Sequence, residues 1–209
     1  MPTIERVERW KLITKELARH APFTAAGTIT GILIMVIIVH SHFPSGASDI
    51  LFHILHPIHI ALSALVTTAM YKLHSRGKVL TAILVGYTGS VGICSTSDIV
   101  IPYVGGALLG VETELHLCFI EHWWLINPLA FLGIAIGYGR PTTKFPHAGH
   151  VLVSTWASLF YFTAFGIADW LPLLPFIFLF LFLAVWIPCC VSDIVYPLLF
   201  VRGKQSTGR

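Results

Sequence analysis

The sequence CSTSDIVIP occupies residues 94–102 and recurs as CCVSDIVYP at residues 189–197. Both copies fit the pattern C-x-x-S-D-I-V-x-P, and they lie 95 residues apart. A second match has nearly the same offset, because an H-x-x-H pair at residues 53–56 recurs 94 residues later at residues 147–150. Two independent matches at nearly one period indicate an internal repeat.

The composition around this repeat is that of a membrane protein. Of the 209 residues, 56% are hydrophobic and 11% are charged, whereas soluble domains have about 45 to 50% apolar and about 25% charged residues. Ten acidic and thirteen basic side chains are too few to cover a soluble protein of this length. The net charge of +3 is small and scattered, whereas nucleic-acid binding needs a basic patch. Composition therefore excludes soluble enzymes and nucleic-acid partners, and the lipid bilayer is the first expected partner.

Six segments are long and apolar enough to cross a bilayer, whose core of about 30 Å needs roughly 20 residues per helix. All thirteen Lys and Arg residues fall on one side of the resulting arrangement, and the positive-inside rule places that side, with both termini, in the cytoplasm. We therefore predict an all-α, multi-pass integral membrane protein, expected in the cell (inner) membrane. The predicted spans cover residues 22–42, 50–72, 79–101, 115–138, 148–168 and 173–200.

The repeat unit holds three predicted spans, which is an odd number, so the second copy must enter the membrane from the opposite face. Inverted repeats of this kind are frequent among secondary transporters, which bind ions and substrates where the repeats meet. A duplicated scaffold without a transport role is the alternative, since architecture alone does not fix function. The expected parts are an amphipathic interfacial helix at residues 1–20, the first repeat at 21–110, the second repeat at 111–201 and a basic cytoplasmic tail at 202–209.

Ionisable side chains collect near the ends of the predicted spans, where they are costly to bury and usually functional. Imidazole, thiolate and carboxylate donors that converge from several helices suit a divalent transition metal, with zinc as the default. Three methionines are too few for the thioether clusters that favour copper(I). The predicted outer metal site consists of His53, His56, His59, Asp98, Glu114, His116, Glu121 and His122, and a second site near the inner face consists of His147, His150, Cys189 and Asp193.

Other roles remain open for several of these residues. Glu121 and His122 can instead form a charge pair that locks the fourth span to a neighbouring helix. Cys94 and Cys118 can be metal ligands, a disulfide at the oxidising outer face, or small packing residues. Cys189 aligns with Cys94 but faces the reducing side of the membrane, so a role shared by that pair would be ligation.

A proline lies next to the predicted outer site. Pro57 follows His56 directly and removes the donor for the carbonyl of His53. We therefore expect the second span to be broken at its start. Broken helices at membrane depth are tolerated where they line a cavity.

Three functions fit this pattern. The first is a carrier of divalent metal ions, with or without proton exchange, because metal binding to histidines and carboxylates displaces protons. The second is an intramembrane metalloenzyme that acts on a lipid or hydrophobic substrate, with Glu121 as the general base. The third is a b-type haem protein with histidines as axial ligands. A homo-oligomer or a partner subunit is compatible with each of them.

Overall fold

The structure is a computed structural model that describes residues 2–41, 45–75, 78–167, 172 and 174–201. The described residues are almost entirely helical, which confirms the predicted α-helical class. The expected basic tail at residues 202–209 lies outside the described residues.

The helices follow the order of the predicted spans, and three π-helical segments (π1 to π3) interrupt them. In chain order the elements are α1 (Pro2–His40), α2 (Ser45–His74), α3 (Val79–Tyr87), π1 (Thr88–Cys94), π2 (Thr96–Val100), α4 (Ile101–Leu108), β1 (Glu112–Thr113), α5 (Cys118–Glu121), α6 (Trp123–Gly139), α7 (Lys144–Phe165), β2 (Gly166–Ile167), α8 (Leu174–Cys190), π3 (Val191–Val195) and α9 (Tyr196–Leu199).

Two helical segments within the described ranges are long and apolar enough to cross a membrane. They are Gly46–His74 and Val79–Leu108, which correspond to the second and third predicted spans. Membrane association is therefore supported in this coarse form.

Helices α2 and α7 run antiparallel through the centre of the molecule. Near the start of α2, Ser48 accepts a hydrogen bond of 3.0 Å from Thr163 near the end of α7. Further along α2, His59 contacts His150, which lies near the start of α7. The two helices therefore bring their polar faces together over much of their length.

Helix α6 lies against α2 through two glycines. A Cβ atom at Gly133 would collide with the carbonyl oxygen of Ala61, and one at Gly137 would collide with that of Leu65. Both contacts advance by four residues on each helix, so α2 and α6 run in the same direction. Small residues of this kind let helices approach closely in membranes.

Helix α2 is continuous from Ser45 to His74 and passes through Pro57, so the expected break does not occur. Pro57 is buried, and α6 and α7 pack along the helix. The expectation was wrong because tertiary packing supplies most of a helix's stability and compensates for one lost backbone hydrogen bond.

The N-terminal segment continues without a break into the first predicted span, because α1 extends over 39 residues from Pro2 to His40. Its residue Ile13 is buried and packs with Met70, Ile194 and Leu198. This contact places the segment beside the end of α2 and beside α9.

Candidate metal centre

Asp98 holds two histidines of α2. His56 Nδ1 donates to Asp98 Oδ2 at 2.8 Å, and His59 Nδ1 donates to the same oxygen at 2.5 Å. All three side chains are fully buried. A carboxylate can only accept hydrogen bonds, so each ring carries its proton on Nδ1 and, when neutral, presents Nε2 as a lone pair.

The same arrangement occurs a second time on α7. His147 Nδ1 donates to Asp193 Oδ2 at 2.8 Å, and His150 Nδ1 donates to it at 2.5 Å. These three side chains are also fully buried. The two units, which are Asp98 with His56 and His59 and Asp193 with His147 and His150, therefore have matching partners, atoms and distances.

Hydroxyl groups connect each unit to the opposite helix. The other oxygen of Asp98, Oδ1, accepts from Ser154 of α7 at 3.1 Å, and Ser158 lies 3.4 Å from it. The corresponding oxygen of Asp193 accepts from hydroxyls of α2, which are Ser63 at 3.1 Å and Thr67 at 3.3 Å. Each aspartate therefore binds α2 with one oxygen and α7 with the other.

These contacts correct the alignment of the two halves. The equivalent segments are HPIHIALSALVT at residues 56–67 and HAGHVLVSTWAS at residues 147–158, which lie 91 residues apart. The predicted offset of 94 arose because α2 carries H-x-x-H twice in succession, as HILHPIH at residues 53–59. Four residues after its second histidine, each segment has a serine, and eight residues after it, each has Thr or Ser. These hydroxyl residues identify which two H-x-x-H pairs are equivalent.

The proline of each repeated motif shapes the chain at the aspartate. Pro102 and Pro197 each lie four residues after an aspartate and have no N–H to donate to its carbonyl. Asp98 lies in π2 and Asp193 lies in π3, where the helix is locally widened. Such π segments are frequent at functional sites, and here they turn both carboxylates toward the contact between α2 and α7.

The two units meet at their second histidines. His59 Nε2 lies 2.5 Å from His150 Nε2, and the rings are stacked with their centroids 4.4 Å apart. Both Nδ1 atoms are already committed to carboxylates, so two neutral rings would bring two lone pairs face to face. A shared proton or a bound metal ion removes that repulsion.

Two buried thiols flank the histidine pair. Cys189 Sγ lies 3.8 Å from His59 Nε2, and Cys94 Sγ lies 3.7 Å from His150 Nε2. Zinc bound tetrahedrally to nitrogen and sulfur places these atoms about 3.6 Å apart. The donor atoms of His59, His150 and Cys189 all lie within 4.8 Å of one another. We call these three residues, with Cys94 beside His150, the central cluster.

Carboxylates oriented toward the second nitrogen of a metal-binding histidine are typical of metal centres, where they fix the ring and raise its basicity. Asp98 and Asp193 occupy that position for His59 and His150. Among the described residues, both carboxylates pair with histidines and hydroxyls rather than with Lys or Arg. Two buried negative charges cost several kcal/mol each when uncompensated, and a divalent cation balances both.

The structure corrects the division into an outer site and an inner site. His56, His59 and Asp98 were predicted near the outer face, and His147, His150, Cys189 and Asp193 near the inner face. The contact between His59 and His150 joins them in one buried centre. The physical reason is that α7 runs antiparallel to α2, so the histidines near the start of α7 meet those in the middle of α2.

A second group of donors lies near the start of α2, on the predicted outer side, and consists of His53, His116, Cys118 and His122. We call this group the outer cluster. One donor atom of each residue lies within 4.8 Å of the others. His53 Nε2 and His116 Nε2 are 2.9 Å apart, and Cys118 Sγ lies 3.9 Å from His122 Nδ1.

Oxygen acceptors also orient the histidines of the outer cluster. His53 Nδ1 lies 2.9 Å from the carbonyl oxygen and 3.2 Å from the carboxylate of Asp49. His116 Nδ1 lies 3.1 Å from Glu121 Oε2. His116 lies in the extended segment before α5, outside the helices.

The segment that carries His116 is held by main-chain contacts. β1 and β2 pair antiparallel, with Glu112 opposite Ile167 and Thr113 opposite Gly166. Tyr161 of α7 donates its hydroxyl proton to the carbonyl of Glu114 at 2.8 Å. These contacts fix the outer cluster to α7, the same helix that carries His150.

The two acidic residues predicted as outer ligands take other positions. The Glu121 carboxylate contacts His116 Nδ1 rather than joining the group of donor atoms. Glu114 is exposed, and the contact that fixes it is made by its main chain. Cys118, which the sequence leaves ambiguous, does join the group.

All four cysteines are buried, and none of them forms a disulfide within the part of the chain that the structure describes. Cys94 belongs to the central cluster and Cys118 to the outer cluster, so the disulfide considered between them is not formed. Cys94 donates to Ser63 at 2.9 Å, and Cys189 donates to Ser154 at 3.2 Å. These two contacts are equivalent, but each stays within its own half, whereas the aspartates contact hydroxyls of the other half.

An open pocket of about 520 Å³ leads to the outer cluster. Its lining consists of Asp49, Ile50, His53, Ile54, His116 and His122. From His53 the histidines of α2 continue inward as His56 and His59, each three residues further along the helix. Six residues of α-helix span about 9 Å, so one row of imidazoles connects an open pocket with the buried centre.

Comparison of the chain with known proteins finds no matching family model, no matching curated protein and no matching solved structure. Function is therefore inferred from the geometry of the two clusters and of the row that joins them.

Proposed function

We propose that this protein transports a divalent transition-metal ion across a membrane, with the central cluster as its buried binding site. One observation carries the proposal: imidazoles lead from an open pocket to a pair of facing Nε2 atoms where the two halves of the chain meet. Ion sites at the interface of two repeats are the usual plan of secondary transporters. The ion is the cargo in this proposal, and the histidines bind it in passage.

The finer architecture in this proposal is six spans in an inverted 3+3 repeat with cytoplasmic termini. Antiparallel α2 and α7, which carry equivalent contacts, support the inversion. The parallel course of α2 and α6 supports the assignment of both as outside-to-inside spans. The segregation of Lys and Arg supports the orientation.

Zinc is the proposed cargo because the central cluster offers two imidazoles and one thiol within 4.8 Å of one another, with a second thiol, that of Cys94, beside His150. Zinc accepts this mixed set in tetrahedral geometry, with bonds of about 2.0 to 2.1 Å to nitrogen and about 2.3 Å to sulfur. Magnesium and calcium prefer oxygen ligands alone. Iron, cobalt and nickel also accept imidazole and thiolate, so metal competition belongs in the first assay.

The closed form of the central cluster favours transport over catalysis. Catalytic zinc sites keep one position open for water or substrate, whereas His59 and His150 are fully buried and in contact. The metalloenzyme and the haem protein stay predictions of the sequence, as does proton exchange.

Flux measurements on purified protein in liposomes test this proposal. We expect zinc to enter vesicles that hold the wild-type protein and an enclosed zinc dye, and His59→Ala to reduce the rate to that of empty vesicles. His74→Ala is the matched control, since that histidine caps the same helix by binding the carbonyl of Met70. Wild-type vesicles no faster than empty ones, or equal rates in wild type and His59→Ala, would refute transport through the central cluster.

A further inference from the structure

We infer that the outer cluster is a second, separate metal site, which captures the ion on one side of the membrane before it reaches the central cluster. This inference rests on the proposed function for its role in transport but not for its binding of metal. The ligands are His53, His116, Cys118 and His122, and Asp49 and Glu121 are positioning residues.

The donor set is complete by number and type. Three imidazoles and one thiol give Cys-His₃, which fits a four-coordinate zinc site. The four donor atoms come from α2, the segment before α5, α5 itself and the α5–α6 junction. All lie within 4.8 Å of one another, so small side-chain rotations bring them around one ion.

The orientation of two rings suits a shared cation. Asp49 occupies Nδ1 of His53, and Glu121 occupies Nδ1 of His116. Their Nε2 atoms then face each other at 2.9 Å as two acceptors when both rings are neutral. The same repulsion between two lone pairs arises in the central cluster, and a shared cation removes it in both clusters.

The outer cluster differs from the central cluster in access. His53, His116 and His122 line the open pocket, whereas His59 and His150 are fully buried. A partly exposed site exchanges its ion with the surrounding solution, and the row through His56 leads onward. The outer cluster therefore suits capture, and the central cluster suits passage.

The outer cluster also makes the molecule one-sided. At the offset of 91 residues that relates α2 to α7, His53 corresponds to Lys144, and lysine is a cationic residue type in place of a metal-binding one. The same offset relates His116 to Ala25, Cys118 to Gly27 and His122 to Gly31. The symmetry-related position thus has no equivalent donor set, and capture is expected on the side of the outer cluster alone.

Cobalt(II) binding to the full-length protein tests the site directly. In the double variant His59→Ala, His150→Ala, we expect one bound cobalt per chain with thiolate-to-cobalt charge-transfer absorption. Adding Cys118→Ser to that variant should remove the charge-transfer band. A double variant that binds no cobalt while its thermal unfolding midpoint matches wild type, or a band that survives Cys118→Ser, would overturn the inference.

The positioning role of Glu121 has its own matched comparison. We expect Glu121→Gln to weaken cobalt binding at the outer cluster about 10- to 100-fold, the usual effect of losing a carboxylate that orients a metal-binding histidine. Glu114→Gln removes a nearby exposed carboxylate and should leave the affinity unchanged. Equal affinities in the two variants would contradict the assignment.

Uptake kinetics separate this inference from the proposed function. If capture precedes passage, Cys118→Ser should raise the zinc concentration for half-maximal uptake about 10-fold and leave the maximal rate within a factor of two. If the wild-type protein takes up zinc and Cys118→Ser has unchanged kinetics, the capture role of the outer cluster is refuted and the transport proposal is not. If the outer cluster binds cobalt but the protein moves no zinc, the transport proposal is refuted and the outer metal site is supported.

Discussion

Replacing Asp98 by asparagine is expected to weaken zinc binding at the central cluster about 10- to 100-fold, and Asp193→Asn is expected to weaken it by a similar factor. Each carboxylate accepts a hydrogen bond from the Nδ1 of a central histidine. Asparagine removes the negative charge and leaves one acceptor oxygen in place of two. The affinity is measured by chelator competition in protein whose outer cluster is disabled by His116→Ala.

The comparison of the two aspartates is the sharp part of this prediction. Equivalent contacts in the two halves require equivalent losses, within about threefold. Glu112→Gln, which removes an exposed carboxylate in β1, should change nothing. A loss confined to Asp98→Asn, with both variants folded by thermal unfolding, would contradict a shared central site and favour two unequal ones.

The largest expected effect is the loss of the central ion in His59→Ala. His59 Nε2 faces His150 Nε2, so the loss of the His59 side chain removes one of the two imidazole ligands of the central cluster. We expect zinc affinity at the central cluster to fall more than 100-fold. His150→Ala should behave alike, because the two residues hold equivalent positions.

His56→Ala is the matched control for this variant. His56 donates to the same oxygen of Asp98 as His59, but its Nε2 has no hydrogen-bond partner among the residues that the structure describes and does not belong to the central cluster. We expect its zinc affinity to stay within tenfold of wild type. A greater loss of zinc in His56→Ala than in His59→Ala would show that the ion sits elsewhere in the Asp98 unit.

Much of the fold can be predicted from the sequence because a bilayer restricts the choices. Long apolar segments separated by basic loops predict helices, and the described residues are helical in those places. The repeated C-x-x-S-D-I-V-x-P motif also predicts two equivalent aspartates, and Asp98 and Asp193 do have equivalent partners. Composition and motif spacing carry this information locally, without knowledge of how the helices pack.

The arrangement of the site was harder to predict, because three histidines at one spacing on α2 permit two alignments. His53 with His56, and His56 with His59, both resemble the pair on α7. The contact between helices decides between them, and hydropathy does not report it. The stretch from His150 to Asp193 is also four residues longer than the stretch from His59 to Asp98. The aspartates are therefore 95 residues apart although the equivalent histidines are 91 apart, and the wrong histidine offset of 94 lay close to the offset of the aspartates.

The hydroxyls that complete the site escaped prediction for a different reason. Ser63, Thr67, Ser154 and Ser158 are common residues in membrane helices, where they often bind backbone or neighbouring helices. Their role follows from a position four or eight residues after a histidine that contacts an aspartate.

X-ray absorption at the zinc edge tests most directly whether the facing histidines of the central cluster hold a metal ion. The sample is zinc-loaded protein whose outer cluster is disabled by His116→Ala and Cys118→Ser. We predict one zinc per chain with nitrogen neighbours at about 2.0 to 2.1 Å and sulfur neighbours at about 2.3 Å, and with the multiple-scattering pattern of imidazole. Protein that retains no zinc, or zinc surrounded by oxygen alone, would contradict a metal site between His59 and His150.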